Sequence, residues 1–154
     1  VVQALHKCFL YDTIAFTNKE RFEALHPPLV ALLDDLSCGK ERYQTRIDLY
    51  LKPAVIQLAV AVQAGTGSDL LWKPLNHQLL LRTRNDSAMV RFAALQVVTG
   101  VVQRLGEEYL SLVPEMLPFI VEVLEDMDEQ VETCGRQLVA LLETHLGESL
   151  NEYL

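Results

Sequence analysis

Residues 87–126 read SAMVRFAALQVVTGVVQRLG and then EEYLSLVPEMLPFIVEVLED, and both halves are too apolar to stand alone. In the first half, Val90, Ala94, Val97, Val101 and Leu105 follow three- and four-residue steps, the spacing of one helix face. Met89, Phe92, Ala93, Val98 and Val102 widen that stripe to most of the circumference. Only Arg91, Gln96, Thr99, Gln103 and Arg104 form a narrow polar strip. A helix this apolar must be covered on more than one side. The two patterns meet at Gly106, and stacked helices are the simplest source of cover.

A shift of 41 residues shows where the cover comes from. It places Asn85 on Asp126, Val90 on Val131, Ala93 on Cys134, Val97 on Leu138, Val101 on Leu142, Leu105 on Leu146 and Gly106-Glu107 on Gly147-Glu148. Upstream, Leu79 and Leu80 fall on Ile120 and Val121. A unit of about forty residues with proline in its first helix (Pro74; Pro114 and Pro118) is the HEAT-type signature. Such repeats carry an acid in the turn, then a valine and an arginine early in the second helix. Val90-Arg91 fits, with Asn85 in place of the acid and Asp86 beside it; in the next repeat Glu132 stands where the arginine would be. The residues expected to form the core between repeats are Trp72, Leu79, Val90, Ala94, Val97, Val101, Leu105, Leu117, Val131, Leu138 and Leu142.

Earlier segments read as helices too. Val2, Leu5, Cys8, Phe9 and Ala15 place 1–16 as the tail of a helix whose partner precedes Val1. Thr17 is a candidate N-cap with Glu20 as its capping-box partner. Phe22, Leu25, Leu29, Leu32, Leu33 and Leu36 then mark one face, and Pro27-Pro28 predict a kinked or restarted helix. Residues 37–40 are a turn. The long pattern from Glu41 to Gln63 runs through Tyr43, Ile47, Tyr50, Leu51, Val55, Leu58, Ala59 and Val62, and Pro53 is expected to bend or divide it. Gly65 to Ser68 closes it, with Ser68 or Asp69 capping the helix built from Leu70 to Leu81. Strands are nearly absent. The expected fold is all-α: a HEAT-type α-solenoid of about three to four stacked antiparallel helix pairs in one domain, 1–154. Its parts are 1–16, a proline-kinked first pair at 18–64, repeats at 69–105 and 107–147, and a tail at 148–154.

Composition narrows the function classes. At 154 residues, half of them hydrophobic, the chain is large enough for a core and is no disordered tail. No uninterrupted apolar run reaches the roughly 18 residues of a membrane span. Val1 begins inside an apolar pattern without a basic start or cleavage site, so no signal peptide is expected and the chain reads as part of something longer. Cys8, Cys38 and Cys134 are far apart and have no zinc-site spacing, which suits reduced thiols in an intracellular protein. His6, His26, His77 and His145 are isolated. Gly65-Thr66-Gly67 lacks the third glycine of a dinucleotide fingerprint, Gly39-Lys40 lacks the rest of a phosphate loop, and no nucleophile elbow or zinc-helix motif occurs. No catalytic residue, cofactor, metal or small-molecule substrate is expected.

The net charge of −8 is unevenly distributed. Residues 107–154 hold twelve acidic side chains against one basic, Arg136, whereas 1–106 hold nine acidic and twelve basic. The acidic end repels phosphate backbones. Lys73, Arg82, Arg84, Arg91 and Arg104 gather around one helix pair and its turn. They are candidate contacts for phosphate or an acidic partner, set against the plainer reading of surface and inter-repeat arginines. No stacking aromatics accompany them, and Trp72 reads as a packing residue.

Several strings carry a resemblance: Leu71-Trp72-Lys73-Pro74-Leu75-Asn76, Leu80-Leu81-Arg82-Thr83-Arg84, Val90-Arg91-Phe92-Ala93-Ala94-Leu95 and Leu105-Gly106-Glu107-Glu108-Tyr109-Leu110. With Leu112-Val113-Pro114-Glu115, Leu124-Glu125-Asp126 and Leu146-Gly147-Glu148-Ser149-Leu150, they resemble the extreme C-terminal end of the HEAT repeat-containing protein 1 family, very large scaffolds of the small-subunit processome. The resemblance is dense from Asp69 onward and looser before. It implies a nucleolar, non-catalytic scaffold acting in 18S pre-rRNA processing and ribosomal DNA transcription. The implied partners are other processome proteins, with pre-ribosomal RNA contacted indirectly and no membrane. Two alternatives stand beside it: a HEAT adaptor binding peptide or protein partners, of the nuclear-transport or phosphatase-scaffold type, and a direct RNA-binding module.

Overall fold

A computed structural model describes residues 1–66 and 69–154, without the side chains of Thr66, Asp69 and Leu70. The expected turn and cap at Gly67, Ser68 and Asp69 therefore lie outside what is described. The helices are α1 (Val2–Leu10), α2 (Lys19–Ala31), α3 (Lys40–Arg46), α4 (Lys52–Thr66), α5 (Asp69–Arg82), α6 (Ala88–Leu105), α7 (Val113–Leu124) and α8 (Glu129–Leu146). A π-turn, Ile47–Leu51, joins α3 to α4, and a 3-10 segment, Gly106–Leu112, joins α6 to α7. No strand occurs among the described residues. The chain forms two compact units, Val1–Gln78 and Leu79–Leu154, so the boundary falls inside α5.

In the first unit, α1 and α2 both pack on α4. Asn18, not Thr17, caps α2: its side-chain oxygen accepts from the Arg21 N–H at 3.0 Å. Thr17 is buried instead, its N–H donating to Asp12 Oδ2 at 2.7 Å and its side chain also bonded to Asp12. Ala15 lies outside any helix with φ +53°. Helix α2 runs through Pro27 and Pro28 rather than restarting. The carbonyls that the two prolines leave without donors belong to Glu23 and Ala24, both exposed residues on the solvent side.

Pro53 does not divide the long helix either. Tyr43, Ile47, Leu51 and Val55 recur at four-residue steps, and three such steps drift by about 120° in a 3.6-residue helix. The π-turn widens the spiral just where that drift accumulates, with the Lys52 N–H bonded to the Ile47 carbonyl. All four side chains stay in the core. The carbonyl that Pro53 leaves without a donor is that of Leu49, which is exposed. Tyr43 donates its hydroxyl to the Leu33 carbonyl at 2.8 Å, and burial pushes it up to about 12. Trp72 is fully buried, with Nε1 donating to Gln63 Oε1 at 2.9 Å, a packing role.

The second unit carries the 41-residue register into three dimensions. Helices α6 and α8 are both 18 residues long, and both of their ends are offset by 41. Val90, Ala93, Ala94, Val97 and Val101 are buried in α6, as are Val131, Cys134, Gly135, Leu138 and Leu142 in α8. Helix α8 packs on both α6 and α7. Half of the residues of α6 are buried, among them Leu95, Val98 and Val102. That is the all-round cover its sequence demands. Leu79 is buried too.

One core expectation fails. Leu117 is only half-buried, and the packed face of α7 is Val113, Met116, Ile120 and Val123, with Phe119 beside them. The packed face takes the three-residue step from Val113 to Met116 and continues to Ile120 and Val123, which leaves Leu117, one position further round the helix, at its edge.

Two stretches, 40–65 and 88–124, are long and apolar enough to match a membrane span by composition. With 56% and 50% of their apolar windows inside the protein, they behave as core helices.

At Gly135 α8 lies tight against α7: a Cβ there would collide with Val123 Cγ1. The equivalent position in α6 is Ala94, also small. Gly135→Ala should therefore destabilise the second unit by about 1–3 kcal/mol through overpacking, against the roughly 1 kcal/mol that alanine gains by helix propensity. Urea unfolding of the two proteins measures the difference, and a more stable variant would show that the helices can part at no cost.

Candidate functional site

Five cationic residues were expected to cluster, and the structure gives each a different setting. Lys73 is exposed on the part of α5 that belongs to the first unit. Arg104 is exposed near the end of α6, and Arg82 is half-buried at the end of α5. Arg84 and Arg91 are committed to carboxylates within the fold.

Arg91 occupies the first turns of α6 and faces the loop after α7. Its Nε and Nη2 donate to Asp126 Oδ2 and Oδ1, each at 2.7 Å. The third nitrogen, Nη1, donates to the carbonyls of Asn85 and Asp86 at 2.9 and 3.1 Å. The pair is mostly removed from water, with side-chain exposures of 16% and 9%. The hydrogen bonds from Arg91 hold the Asp126 carboxyl below its ordinary value of 3.8, and Asp126 in turn raises the arginine.

Around this link the two loops are copies of one another. Asn85 Oδ1 accepts from the Ser87 N–H at 2.9 Å, and Asp126 Oδ1 accepts from the Asp128 N–H at 2.9 Å. Each is a side chain closing a turn onto the backbone two residues ahead. Ser87 and Asp128 then stand at the N-cap of α6 and α8; Asp128 alone makes a side-chain cap, to the N–H groups of Gln130 and Val131. At the Asn85 position a neutral amide closes the turn. At Asp126 the charge has a second use as acceptor for the arginine of the preceding helix. Glu132, which replaces the arginine in the second copy, bonds instead to Arg136 at 2.6 Å within its own helix.

Arg84 makes a second fork, Nε and Nη2 each 2.6 Å from a Glu122 oxygen, and its guanidinium lies 4.0 Å above the Phe119 ring. This pair is exposed, so it contributes little to stability. Its consequence is chemical: the arginine best placed for a phosphate already holds a carboxylate. Nothing in the sequence marks Glu122 and Phe119 as its partners, because the pairing spans the turn and a whole helix.

The first unit has a similar link that sequence reading missed. Arg46 donates to Asp35 Oδ2 at 2.8 Å, to the Asp35 carbonyl and to the Leu32 carbonyl at 3.1 Å, closing the segment that follows α2. Asp35 is held down at about 2, chiefly by bonds from Ser37 and also by Arg46. The one available signal was an acid before a turn and an arginine in the short helix that follows, the same order as in HEAT loops. The cysteines form no disulfide among the described residues: Cys8 is exposed, Cys38 half-buried and Cys134 buried. Among the described residues no three His, Cys, Asp or Glu side chains come together to hold a metal ion.

A helix pair repeated at about forty residues, with matching side-chain-closed turns and a buried arginine–aspartate link from one repeat to the next, defines the HEAT-type class of α-solenoid proteins. The particular relatives agree. The chain is 43% identical over 156 residues to "HEAT repeat-containing protein 1 homolog" of Dictyostelium discoideum, a match covering 100% of this chain and 7% of that protein. It is 44% identical over 153 residues to human "HEAT repeat-containing protein 1", covering 99% of this chain and 7% of the relative. It is 39% identical over 155 residues to "U3 small nucleolar RNA-associated protein 10" of Chaetomium globosum, covering 100% and 8%. Along its whole length, then, this chain matches HEAT repeat-containing protein 1 and U3 small nucleolar RNA-associated protein 10, while spanning under a tenth of these relatives' length. No protein-family model matches it.

Arg91→Ala leaves a buried carboxylate unpaired and should cost about 3 kcal/mol, while Arg91→Ala combined with Asp126→Ala should cost less than the two single changes together. The sign with pH follows from the lowered Asp126. Its contribution is complete above the unfolded-state value near 3.8 and is lost as pH falls through the lower folded value. Urea midpoints of the parent and Asp126→Asn should differ at pH 7 and converge as pH falls below 3.8; a gap that persists undiminished in acid would remove the carboxylate from the account.

Proposed function

We propose that residues 1–154 act as one HEAT-repeat segment of a nucleolar ribosome-biogenesis scaffold. Its work is assembly of the small-subunit processome, with consequences for 18S pre-rRNA processing and ribosomal DNA transcription. The observation that carries this reading is the end-to-end match to a protein named for association with U3 small nucleolar RNA. The segment is non-catalytic: its polar side chains are spent on caps, turns and links between helices rather than gathered in a cleft. Its partners are other processome proteins, and pre-ribosomal RNA is reached through them. It has no membrane contact and no small-molecule substrate.

The geometry supports an indirect relation to RNA. Arg84 and Arg91 both hold carboxylates, and the acidic residues of 107–154 surround them with charge of the wrong sign for phosphate. Five of those acids have structural duties. Asp126 and Glu122 receive arginines, Asp128 caps α8, Glu132 pairs with Arg136, and Glu143 accepts from Ser149 and Leu150. The acidic surplus is thus partly a framework cost rather than a binding signal.

Affinity purification of the full-length protein from nuclear extract should recover U3 small nucleolar RNA and processome proteins, and imaging should place it in the nucleolus. Their absence, with transport receptors or phosphatase subunits in their place, would transfer the segment to the adaptor class. The isolated chain should bind single-stranded RNA weakly at moderate salt. Tight binding that falls steeply with salt and drops on Arg82→Ala plus Arg84→Ala would make it a direct RNA-binding module.

A further inference from the structure

The segment after α8 is held by one carboxylate. Helix α8 ends at Gly147, in the left-handed conformation at φ +75° and ψ 10°. Beyond it, Glu143 Oε1 accepts from the Ser149 hydroxyl at 3.0 Å and from the Leu150 N–H at 2.9 Å. Those bonds seat Leu150, which is only 3% exposed, whereas Glu148, Ser149, Asn151, Glu152 and Tyr153 are all exposed. The Ser149 hydroxyl is therefore accessible, lies outside any helix, and has a glutamate directly before it and another three residues after it.

We infer that Ser149 is a phosphorylation site for an acidophilic protein kinase and that its modification releases this segment. A kinase whose substrate groove is lined with basic side chains reads carboxylates close to the acceptor hydroxyl, which Glu148 and Glu152 supply. In the reaction the Ser149 oxygen forms a bond to the γ-phosphorus of ATP. The bond from that phosphorus to the bridging oxygen breaks, ADP departs, and the hydroxyl proton passes to the kinase's base.

The consequence follows from charge. The product carries roughly −1.5 to −2 at neutral pH and sits where the hydroxyl now touches the Glu143 carboxylate. The lost hydroxyl proton removes one donor to Glu143, and repulsion pulls the carboxylate away from the Leu150 N–H. Arg136 is the only lysine or arginine in 107–154, and it is bound to Glu132. Phosphorylation in this setting undocks a segment rather than ordering it.

The test treats the intact 154-residue chain with casein kinase 2, an acidophilic kinase, and magnesium ATP. Site mapping by mass spectrometry and hydrogen exchange of 147–154 are then read on the product. One phosphate should appear on Ser149, disappear in Ser149→Ala, and be added more slowly in Glu152→Gln. The Leu150 amide should then exchange about tenfold faster or more, the ratio that one lost hydrogen bond of ordinary net strength gives, with α6 and α8 unchanged. Ser149 and Glu152 are exposed, so neither variant threatens folding. Failure to phosphorylate Ser149, or phosphorylation that leaves the Leu150 amide as protected as before, overturns the inference.

Discussion

The structure depends on one unmet demand: helix α6 is apolar on nearly every side and has no way of hiding that surface by itself. Its cover within the second unit comes from α8, which packs on both α6 and α7. This makes the repeat, rather than the helix, the unit of stability, as expected for solenoids whose neighbours bury each other's faces. Close packing at Gly135 and Ala94 lets the helices approach, and the Arg91–Asp126 link fixes the register of one loop on the next. The apolar contacts supply most of the free energy. The ion pair supplies specificity, since an arginine held by two carboxylate oxygens and two carbonyls has a single arrangement.

Much of this was legible because the governing pattern is periodic. The 41-residue shift aligned the residues that become α6 and α8 and named most of their buried positions, since each repeat corroborates the other. Leu117 escaped because α7 has a short apolar run in which Met116 and Leu117, three and four residues on from Val113, fit the face equally well. At the prolines, the restart expected at Pro27-Pro28 and the division expected at Pro53 do not occur. Proline removes a donor, but a helix tolerates that where the abandoned carbonyl can reach water, and Glu23, Ala24 and Leu49 are exposed residues. The π-turn was present in the four-residue spacing of Tyr43, Ile47, Leu51 and Val55, a drift that a straight helix has to correct somewhere.

The polar residues were harder to read. The resemblance of Val90-Arg91 to a HEAT turn pointed to Arg91 as a link between repeats, and that is how it is used. Arg84 had no such signal, because its partners Glu122 and Phe119 lie 38 and 35 positions away without a repeating motif. A cluster of arginines in one stretch of sequence thus looked like a surface for phosphate when two of its members were already occupied. Long-range charge pairing is where a single sequence says least.

Native-state hydrogen exchange by NMR tests most directly the claim that α6 is stabilised as part of a unit with α7 and α8. The opening free energies of the central amides of α6, from Ala94 to Val102, should equal those of α8, from Gly135 to Leu142, and both should match the free energy of unfolding of the unit. Denaturant should lower them in parallel. A set of α6 amides that stays protected after α8 has opened would contradict this account, because it would show that α6 finds its cover without the repeat that follows it.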